Sequence, residues 1–435
     1  MVPSQPTTSH RHLVAMTNHY IPLILLVLLP TVKSSTFSGD IDAIKAVLTA
    51  LDYSSIPPGS CLSTWDFTLD PCDSVFGIHF TCGLRCDVNS TSPVGLTFSR
   101  ITDISLDAAG YTGCLSSAVW SLPFLQSLDL SNNRLYGPIP TPPFNGLPPP
   151  LNRISLSRNF FSGPIPAFPL APSLEELYLD GNRLSGPIPS PLPPTLRRLE
   201  LQSNNLSGPL PDLSALSGLF FLDASDNSLS GPFAASTFPP SLVELSMRNN
   251  FFSGGFPASL FPSLAALQVL DLSHNALSGP VPSTAFLHPS LEQLALSDNG
   301  FEWVEWPAIA SVAESQIVAL DLSHNRIGGF LPEFVGLMPR LAAVVLEGNR
   351  FIGMIPGTYA MRVAGMPGWV PFARLLLAGN YLYGPIPEMI QRMEGTAMVS
   401  LADNCLFRCP EELSFCAGGQ QKSATTCRDF NPMIP

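Results

Sequence analysis

Charged residues are scarce in this chain, and cations are scarcer than anions. Only 12% of the 435 residues are charged, and 21 lysines and arginines face 33 acidic residues, which gives a formal net charge of −12. Nucleic acid and polyanionic pectin require clusters of lysine and arginine, so this composition argues against both as ligands. The sequence also lacks a G-x-S-x-G nucleophile motif and a glycine-rich phosphate loop, and therefore carries no recognisable catalytic signature.

Long apolar runs are scarce as well. A largely apolar run of 13 residues, Tyr20 to Val32, follows a stretch containing arginine and histidine and precedes the small residues Ser34 and Ser35. Such a run is too short to span a bilayer and is typical of a secretory signal segment, although a retained anchor is the alternative. We therefore expect residues 1–34 to be removed on secretion. After Cys427 only RDFNPMIP remains, so we expect no membrane span, kinase or lipid anchor there.

One phrase, by contrast, is abundant. LDLSNNRLYGPIP at Leu128, LDLSHNALSGPVP at Leu270 and LDLSHNRIGGFLP at Leu320 are copies of it, and a weaker copy begins at Ile101. An asparagine marks each of twelve copies at steps of 22 to 31 residues: Asn133, Asn159, Asn182, Asn204, Asn227, Asn250, Asn275, Asn299, Asn325, Asn349, Asn380 and Asn404. We number the coils from the copy that contains Asn133. A repeat of this period predicts a solenoid of stacked coils over residues 101–404.

The chemistry of the phrase explains its form. Each copy reads L-x-x-L-x-L-x-x-N-x-L-x-G-x-I-P, in which the alternating leucines indicate a short strand with one buried face. The asparagine amide can both donate to and accept from backbone groups in the turn that follows. Glycine permits a bend and proline prevents a helix, so the 46 prolines and 32 glycines indicate ordered turns rather than disorder. Since one coil cannot bury its own leucines, the two ends of the stack need caps.

With this phrase recurring over residues 101–404, the chain resembles plant-type extracellular leucine-rich repeat proteins. More narrowly, it is similar to receptor-like proteins and polygalacturonase-inhibiting proteins. The resemblance implies a leucine-rich repeat solenoid of about 13 repeats of ~24 residues, mostly strand and irregular or 3-10 turns. It also implies a right-handed superhelix with a parallel sheet on its concave face, and recognition without catalysis, cofactor or metal.

The regions flanking the repeats are expected to form the caps. Residues 35–100 contain a predicted amphipathic helix, Asp40 to Leu51, with Asp40 as its N-cap, and the segment DPCDSVFGIHFTC resembles the end of the family's N-terminal cap. Residues 405–435 form the C-terminal cap and tail. Eight cysteines fall in these two regions and are expected to form two disulfides in each, a zinc site being the rejected alternative: Cys61, Cys72, Cys82, Cys86, Cys405, Cys409, Cys416 and Cys427.

Two smaller expectations concern single residues near or within the repeats. Cys114 is left over, either as a free thiol or paired with Cys86 or another chain. The two N-x-S/T sequons, at Asn89 and Asn205, are expected to carry glycans in surface turns.

Coils three to six depart most from the common strand sequence L-D-L-S. Their outward positions combine aromatic residues, arginine and carboxylates, a mixture that binding hot spots favour. We predict a partner-binding face there; the alternative is a solvated face with weak ion pairs within the sheet. The predicted contact residues are Glu176, Tyr178, Asp180, Arg198, Glu200, Gln202, Phe221 and Arg248, with Arg197, Phe220 and Glu244 beside them.

Other features are weaker candidates. In coil eight, EWVEWP replaces G-P-I-P, so Trp303 and Trp306 form a second candidate surface. Residues 358–371 are an insertion that is either a functional loop or a packing repair. Later strands offer a more apolar surface: Ala295, Val345, Leu376 and Ala378.

A catalytic or metal site on the strands is the less favoured interpretation. Asp129, Asp223, Asp271 and Asp321 recur one position after a strand leucine and could act as paired carboxylates, but they also match the family's common strand. His274 and His324 lie two coils apart beside ladder asparagines, where solvated surface is favoured over a metal pair.

The functional hypothesis is a secreted recognition protein. It would bind a protein or peptide, such as a membrane receptor kinase ectodomain, at the plant cell surface, in the apoplast or in the cell wall, and act in signalling or defence. The main alternative is an inhibitor of a microbial polygalacturonase or another wall-degrading enzyme. A third is an inert structural protein of the wall.

Overall fold

A computed structural model of the protein describes residues 35–431 except 76–77, 92–96, 142–148, 168–172, 393–396, 410–412 and 418. The predicted signal segment, residues 1–34, lies outside the described residues. Within the described part, strands alternate with short turns, and helices are few and short.

The strands are β1 Ser35–Thr36, β2 Leu84–Thr91, β3 Thr97–Ser105, β4 Thr112–Cys114, β5 Ser127–Asp129, β6 Arg134–Gly137, β7 Arg153–Ser155, β8 Phe160–Gly163, β9 Glu176–Tyr178, β10 Arg183–Gly186, β11 Arg198–Glu200, β12 Asn205–Gly208, β13 Phe221–Asp223, β14 Ser228–Pro232, β15 Glu244–Ser246, β16 Phe251–Gly255, β17 Val269–Asp271, β18 Ala276–Val281, β19 Gln293–Ala295, β20 Gly300–Val304, β21 Ala319–Asp321, β22 Gly328–Phe330, β23 Ala343–Val345, β24 Arg350–Gly353, β25 Arg374–Leu376, β26 Tyr381–Pro385, β27 Met398–Ser400 and β28 Cys405–Phe407. The α-helices are α1 Ser38–Thr49, α2 Leu260–Ser263, α3 Ser283–Phe286, α4 Gly357–Val363, α5 Glu388–Gln391 and α6 Ala424–Phe430. The 3-10 helices are η1 Tyr53–Ser55, η2 Leu62–Thr64, η3 Ser117–Ser121, η4 Ala235–Thr237, η5 Ile309–Glu314 and η6 Glu333–Leu337.

One long parallel sheet contains a strand from every repeat. It runs β1, β3, β5 and so on through the odd-numbered strands to β27, and β2 pairs antiparallel with β3. The middle residue of each three-residue strand faces the core, as shown by Leu128, Leu177 and Leu270, which have no exposed surface. Thirteen repeats, from β3 to β27, thus stack into one solenoid, as the sequence predicts.

The ladder asparagines join neighbouring coils through their side chains. Asn250, for example, accepts a hydrogen bond from the Leu229 N–H of the preceding coil at 2.9 Å. Its amide nitrogen donates to the carbonyls of Ala224, Met247 and Arg248 at 3.0–3.2 Å. The buried Leu229 N–H would otherwise be unpaired, whereas the three carbonyls also accept from Asn227, Asn275 and the Asp226 N–H, so the amide links one network across adjacent coils.

The residue before each ladder asparagine adopts a left-handed backbone conformation. His274 and His324, for instance, have φ of 55° and 52°, and Gly348 occupies the same position at 61°. This conformation disfavours most side chains, and asparagine or glycine tolerates it best. The turn after each strand is therefore fixed by two adjacent residues, the left-handed residue and the ladder asparagine. Only the asparagine is recognisable in the repeated sequence phrase.

Two smaller parallel sheets follow the turns. The first has nine strands, the even-numbered ones from β4 to β20, and the second has four, β22, β24, β26 and β28. Among the described residues no strand pairing joins β20 to β22, so coil eight ends the first of these sheets.

The N-terminal cap begins earlier than the sequence suggests. Helix α1 starts at Ser38 with Phe37 at the N-cap position, so the prediction that Asp40 caps the helix is wrong. The Asp40 carboxylate instead binds the buried guanidinium of Arg100 and the Ile101 N–H. A buried arginine without a carboxylate would be far more costly than an uncapped helix, which explains the arrangement.

Disulfides close both ends of the solenoid, as expected. Two lie in the N-terminal cap, Cys61–Cys82 and Cys72–Cys86, and two in the C-terminal cap, Cys405–Cys427 and Cys409–Cys416. Cys114, on the edge strand β4, is a free cysteine in the structure.

Candidate partner-binding face

The predicted contact residues lie on the outer face of the long sheet. Strands β9, β11, β13 and β15 pair in register, so Glu176, Arg198, Phe221 and Glu244 form one row across the strands. The leucine that follows each of them is buried, which forces the flanking side chains outward. The structure thus brings residues from four coils together, although they are up to about 70 positions apart in the sequence.

Arg198 is the centre of this face. Its guanidinium carbon lies 3.6 Å from the ring centre of Phe221 and 5.9 Å from that of Tyr178. Its Nε donates to Glu200 Oε1 at 2.6 Å. A stacked and hydrogen-bonded arginine loses little further side-chain freedom when a partner binds, so the group is already ordered for contact.

Arg153 completes the face and was missed from the sequence. It forms an ion pair with Glu176, and its guanidinium carbon lies 4.4 Å from the ring centre of Tyr178. The Tyr178 hydroxyl donates to Glu176 Oε2 at 3.0 Å, and burial together with this bond raises the pKa of Tyr178. Arg153 occupies in coil two the strand position that Arg198 occupies in coil four. This equivalence of position could have revealed Arg153 from the sequence.

Carboxylates dominate the opposite side of Arg198. Burial raises the pKa of Glu244, Arg198 partly offsets this effect, and Asp223 and Glu200 add to it. The pKa of Asp223 is also raised, mainly by burial. These side chains hold more negative charge than Arg198 compensates, and a cation on a partner would relieve that excess.

Gln202 and Arg248 each lie two residues after the end of their strand, β11 and β15 respectively. Arg248 is exposed, and no ion pair joins it to a residue in the described part of the chain. The amide nitrogen of Gln202 donates to Glu200 at 3.3 Å, whereas its buried carbonyl oxygen has no hydrogen-bond partner. Arg248 therefore retains donors that a partner could use, whereas the Gln202 oxygen is enclosed and would reach a partner only after its side chain moves.

Asp180 is less available than predicted. It accepts a hydrogen bond from Ser157, lies 4.0 Å from the Arg158 guanidinium, and its side chain is 14% exposed. These contacts with Ser157 and Arg158 join coil three to coil two, and they leave little of the Asp180 side chain for a partner. Arg197 and Phe220 lie beside the face at exposed positions, and Arg197 is 3.9 Å from Glu175.

The row of strand aspartates has a structural explanation. Asp129, Asp223, Asp271 and Asp321 each accept hydrogen bonds from the N–H and hydroxyl of the serine two residues later. The carboxylate thereby fixes the turn of its own coil, as aspartate commonly does. In the described residues no group of three or more potential ligands could hold a metal ion.

The second candidate surface lies elsewhere. Trp303 lies in β20, the last strand of the nine-stranded sheet, and Trp306 follows that strand; the two side chains are 47% and 54% exposed. Trp306 packs edge-on against Phe334, with ring centres 5.9 Å apart. The two surfaces are therefore formed by different sheets.

The insertion at 358–371 is held by one buried arginine. The Arg362 guanidinium donates to the carbonyls of Gly336, Met338, Leu341 and Val370. Without a carboxylate partner, burial lowers its pKa to about 10. The insertion thus ties coil ten to the turn before it, which favours the packing interpretation of this segment.

Comparisons with known proteins agree with this architecture. A family model described as leucine rich repeat matches residues 240–301, and a second, described in the same words, matches 124–146, 173–194 and 316–338. The chain has a leucine-rich repeat architecture and is similar to plant extracellular leucine-rich repeat proteins.

The relatives of this leucine-rich repeat protein include receptor kinases. A probable leucine-rich repeat receptor-like serine/threonine-protein kinase of Arabidopsis thaliana is 30% identical over 133 residues, or 28% of this chain and 12% of the kinase. The chain spans 12–20% of the curated relatives it matches. In the described residues, no helix is both long and apolar enough to cross a bilayer.

Solved ectodomains share the fold. The plant peptide hormone receptor RGFR1 in complex with RGF2 has a TM-score of 0.64 and 25% identity, over 74% of this chain and 51% of that one. The Arabidopsis receptor kinase HAESA ectodomain in complex with an IDA peptide hormone has a TM-score of 0.58 and 28% identity, over 70% and 54%. These proteins bind peptides, and their matched parts are ectodomains rather than kinase domains.

Proposed function

We propose that this protein binds a protein or peptide partner at the plant cell surface or in the wall, and that it acts there in signalling or defence. The contact surface is the outer face of coils three to six. The observation that carries the proposal is the Arg198 cluster, in which a cation is stacked on Phe221 and bonded to Glu200 on a rigid sheet. The likeness to peptide-bound plant ectodomains supports the same class of ligand.

Each group in the face has a distinct role in this proposal. Tyr178 and Phe221 supply apolar area around Arg198, in the way that aromatic residues anchor most hot spots. Glu200, Asp223 and Glu244 present partly buried negative charge, which favours a partner with a basic residue at that point. Charge complementarity of this kind sets orientation and association rate more than affinity.

The experiment compares two triple variants of the full chain. The test variant is Tyr178→Ala, Arg198→Ala, Phe221→Ala, and the matched control is Tyr136→Ala, Phe160→Ala, Arg183→Ala. The control removes two aromatic residues and one arginine from the nine-stranded sheet, where Arg183 stacks on Phe160 at 4.6 Å. Both sets leave the inward leucines intact, so their melting temperatures should stay close to wild type.

Partners are captured from wall fluid, identified, purified and then titrated against each variant. The test variant should weaken binding by at least about 2 kcal/mol, or roughly 30-fold, while the control binds as wild type does. Equal binding by all three proteins would refute this contact surface. If the captured partner is a polygalacturonase whose hydrolysis slows in the complex, the protein is an inhibitor, and if nothing binds, it is a structural protein of the wall.

A further inference from the structure

The segment from Phe301 to Pro307 departs from the burial pattern of other coils in its sheet. Phe301, Val304 and Pro307 are buried, and the residues between them are exposed. Its buried residues are therefore three positions apart, whereas the corresponding pairs in coils three and six, Leu184 with Ile188 and Phe252 with Phe256, are four apart. As a result, two successive Glu-Trp pairs, Glu302–Trp303 and Glu305–Trp306, face outward with the same spacing.

Local pairing explains this geometry. The register between β18 and β20 shifts between Gly279 and Pro280, and Trp303 then lies opposite Pro280. The next strand, β22, does not pair with β20 in the described residues, so the segment ends its sheet. The following coil contacts it at two points, through the Arg326 N–H on the Phe301 carbonyl and Phe334 on Trp306, while Trp303 stays 47% exposed.

The two glutamates have no cation to balance them. Both are exposed, and neither forms an ion pair with a described residue; Glu305 accepts only a 3.3 Å hydrogen bond from the Ser283 N–H. The Arg326 N–H binds the Phe301 carbonyl, so a cation is close in the fold, yet its guanidinium pairs with neither carboxylate. The segment therefore presents uncompensated negative charge next to exposed tryptophan.

A tryptophan beside a carboxylate is a good site for lysine or arginine. The ring face attracts a cation by about 0.5–2 kcal/mol, and the carboxylate adds an ion pair and a hydrogen bond. Trp303 is 47% exposed and pairs with no aromatic ring of a described residue, so part of its surface is open to a cation, and Phe330 on β22 adds further exposed apolar surface. Two such pairs three residues apart would match cations roughly 9 Å apart on a polyproline II chain, in which every third side chain points the same way.

We propose that the Glu302–Trp306 segment is a second binding site, specific for a basic segment of a partner protein. One lysine or arginine of the partner stacks on Trp303 beside Glu302, and another stacks at Trp306 beside Glu305. This site is separate from the face of coils three to six and does not depend on it. It would let the protein hold one partner on each surface.

The test uses synthetic peptides and the full chain. The probe is a capped nonapeptide with arginine at every third position and glycine or serine between, and its control has glutamine in place of arginine. Calorimetric titration at physiological salt should show at least tenfold tighter binding of the arginine peptide. Trp303→Ala alone, and separately Glu302→Gln with Glu305→Gln, should each reduce that affinity tenfold or more.

Matched controls remove comparable groups elsewhere. Phe251→Ala deletes an aromatic side chain that is 64% exposed on β16, and Asp42→Asn with Asp212→Asn removes two exposed charges. Both should bind within twofold of wild type and melt as it does. Trp306 is not replaced alone, since it packs against Phe334 and its loss would also disturb the core.

Several results would overturn the proposal. One is no binding of the arginine peptide by wild type at millimolar concentration, and another is equal binding of the glutamine peptide. A third is equal loss in the control variants, which would make the attraction a general effect of net charge. Self-association that sedimentation detects and Trp303→Ala abolishes, without peptide binding, would instead make this surface an interface between two copies.

Discussion

Asp40 and Arg100 form a buried ion pair that joins the cap helix to the first long strand. The carboxylate accepts from Arg100 Nε at 3.0 Å and from a terminal guanidinium nitrogen at 2.8 Å, across 60 positions of sequence. The guanidinium is also stacked between Phe37 and Phe124, with its carbon 4.3 and 4.5 Å from their ring centres. The side chains of Asp40 and Arg100 are 1% and 7% exposed, so the pair is almost fully desolvated.

We expect Asp40→Asn to destabilise the N-terminal cap strongly. It leaves the Arg100 charge buried and unneutralised, which typically costs about 3–5 kcal/mol. Chemical denaturation and hydrogen exchange over α1 and β3 measure the effect. Asp42→Asn, an exposed charge on the same helix, is the control and should change stability by less than about 0.5 kcal/mol. Similar losses in both variants would contradict a specific role for the pair.

This pair also shows which features the sequence could reveal. The repeat phrase predicts the strands, the inward leucines and the ladder asparagines, because these are local patterns that recur in every coil. Asp40 looks like a helix cap because aspartate favours that position, and its partner is invisible until β3 packs against α1. The same holds for Arg153 and Tyr178, whose contact depends on the register between coils.

The outward residues of coils three to six were identifiable because a strand has only two faces. Their mutual arrangement could not be predicted, because the sequence of a short strand does not specify the way in which extended side chains from adjacent coils stack on one another. The paired Glu-Trp segment shows a related limit. Its composition stands out in the sequence, but its three-residue period follows from a register shift opposite Pro280.

Replacing a ladder asparagine should lower the free energy of unfolding, because its side chain links adjacent coils. Asn250→Ala removes four hydrogen bonds and leaves the Leu229 N–H without its partner, whereas the three carbonyls keep second donors in Asn227, Asn275 and the Asp226 N–H. We expect a loss of about 1–3 kcal/mol in the free energy of unfolding, measured by denaturant unfolding. The adjacent Asn249→Gly is the control, because glycine suits the φ of 51° there and should be nearly neutral. A neutral Asn250→Ala would show that water replaces the amide.

The terminal disulfides should stabilise the ends of the stack. Replacing Cys405 and Cys427 by serine opens a loop with a sequence separation of 22 residues, and we expect a loss of about 3 kcal/mol. Thermal melting under non-reducing conditions measures it, with Cys114→Ser as the single-thiol control. Thiol counting on unfolded, unreduced protein should find one free cysteine, and a count of three or more would contradict the four disulfides.

The glycan and signal predictions can be checked together on secreted protein. Asn205 is exposed at the first position of β12, and Asn89 lies in β2, so both sequons fall in strands rather than in the expected turns. We expect mass spectrometry to find glycans at both positions and a mature chain that begins near Ser35. Asn249, exposed but outside a sequon, should be unmodified. Bare Asn89 and Asn205, or a retained Met1, would contradict secretion by this route.

The raised pKa of Glu244 gives a prediction for stability against pH. Burial makes ionisation harder in the folded state than in the unfolded chain. The folded state is therefore favoured most when Glu244 is protonated, below the ordinary carboxyl pKa, and that advantage is lost as pH rises through the raised value.

Glu244→Gln should consequently be more stable than wild type at pH 7, by less than about 1 kcal/mol because the group is only partly buried. The difference should vanish as pH falls below about 4, where both proteins carry a neutral side chain. Melting curves at several pH values measure it, with the exposed Glu175→Gln as control. A Gln variant that is less stable at pH 7 would mean that attraction to Arg198 exceeds the cost of burial, and the carboxylates on this face would then be fully compensated without a basic partner.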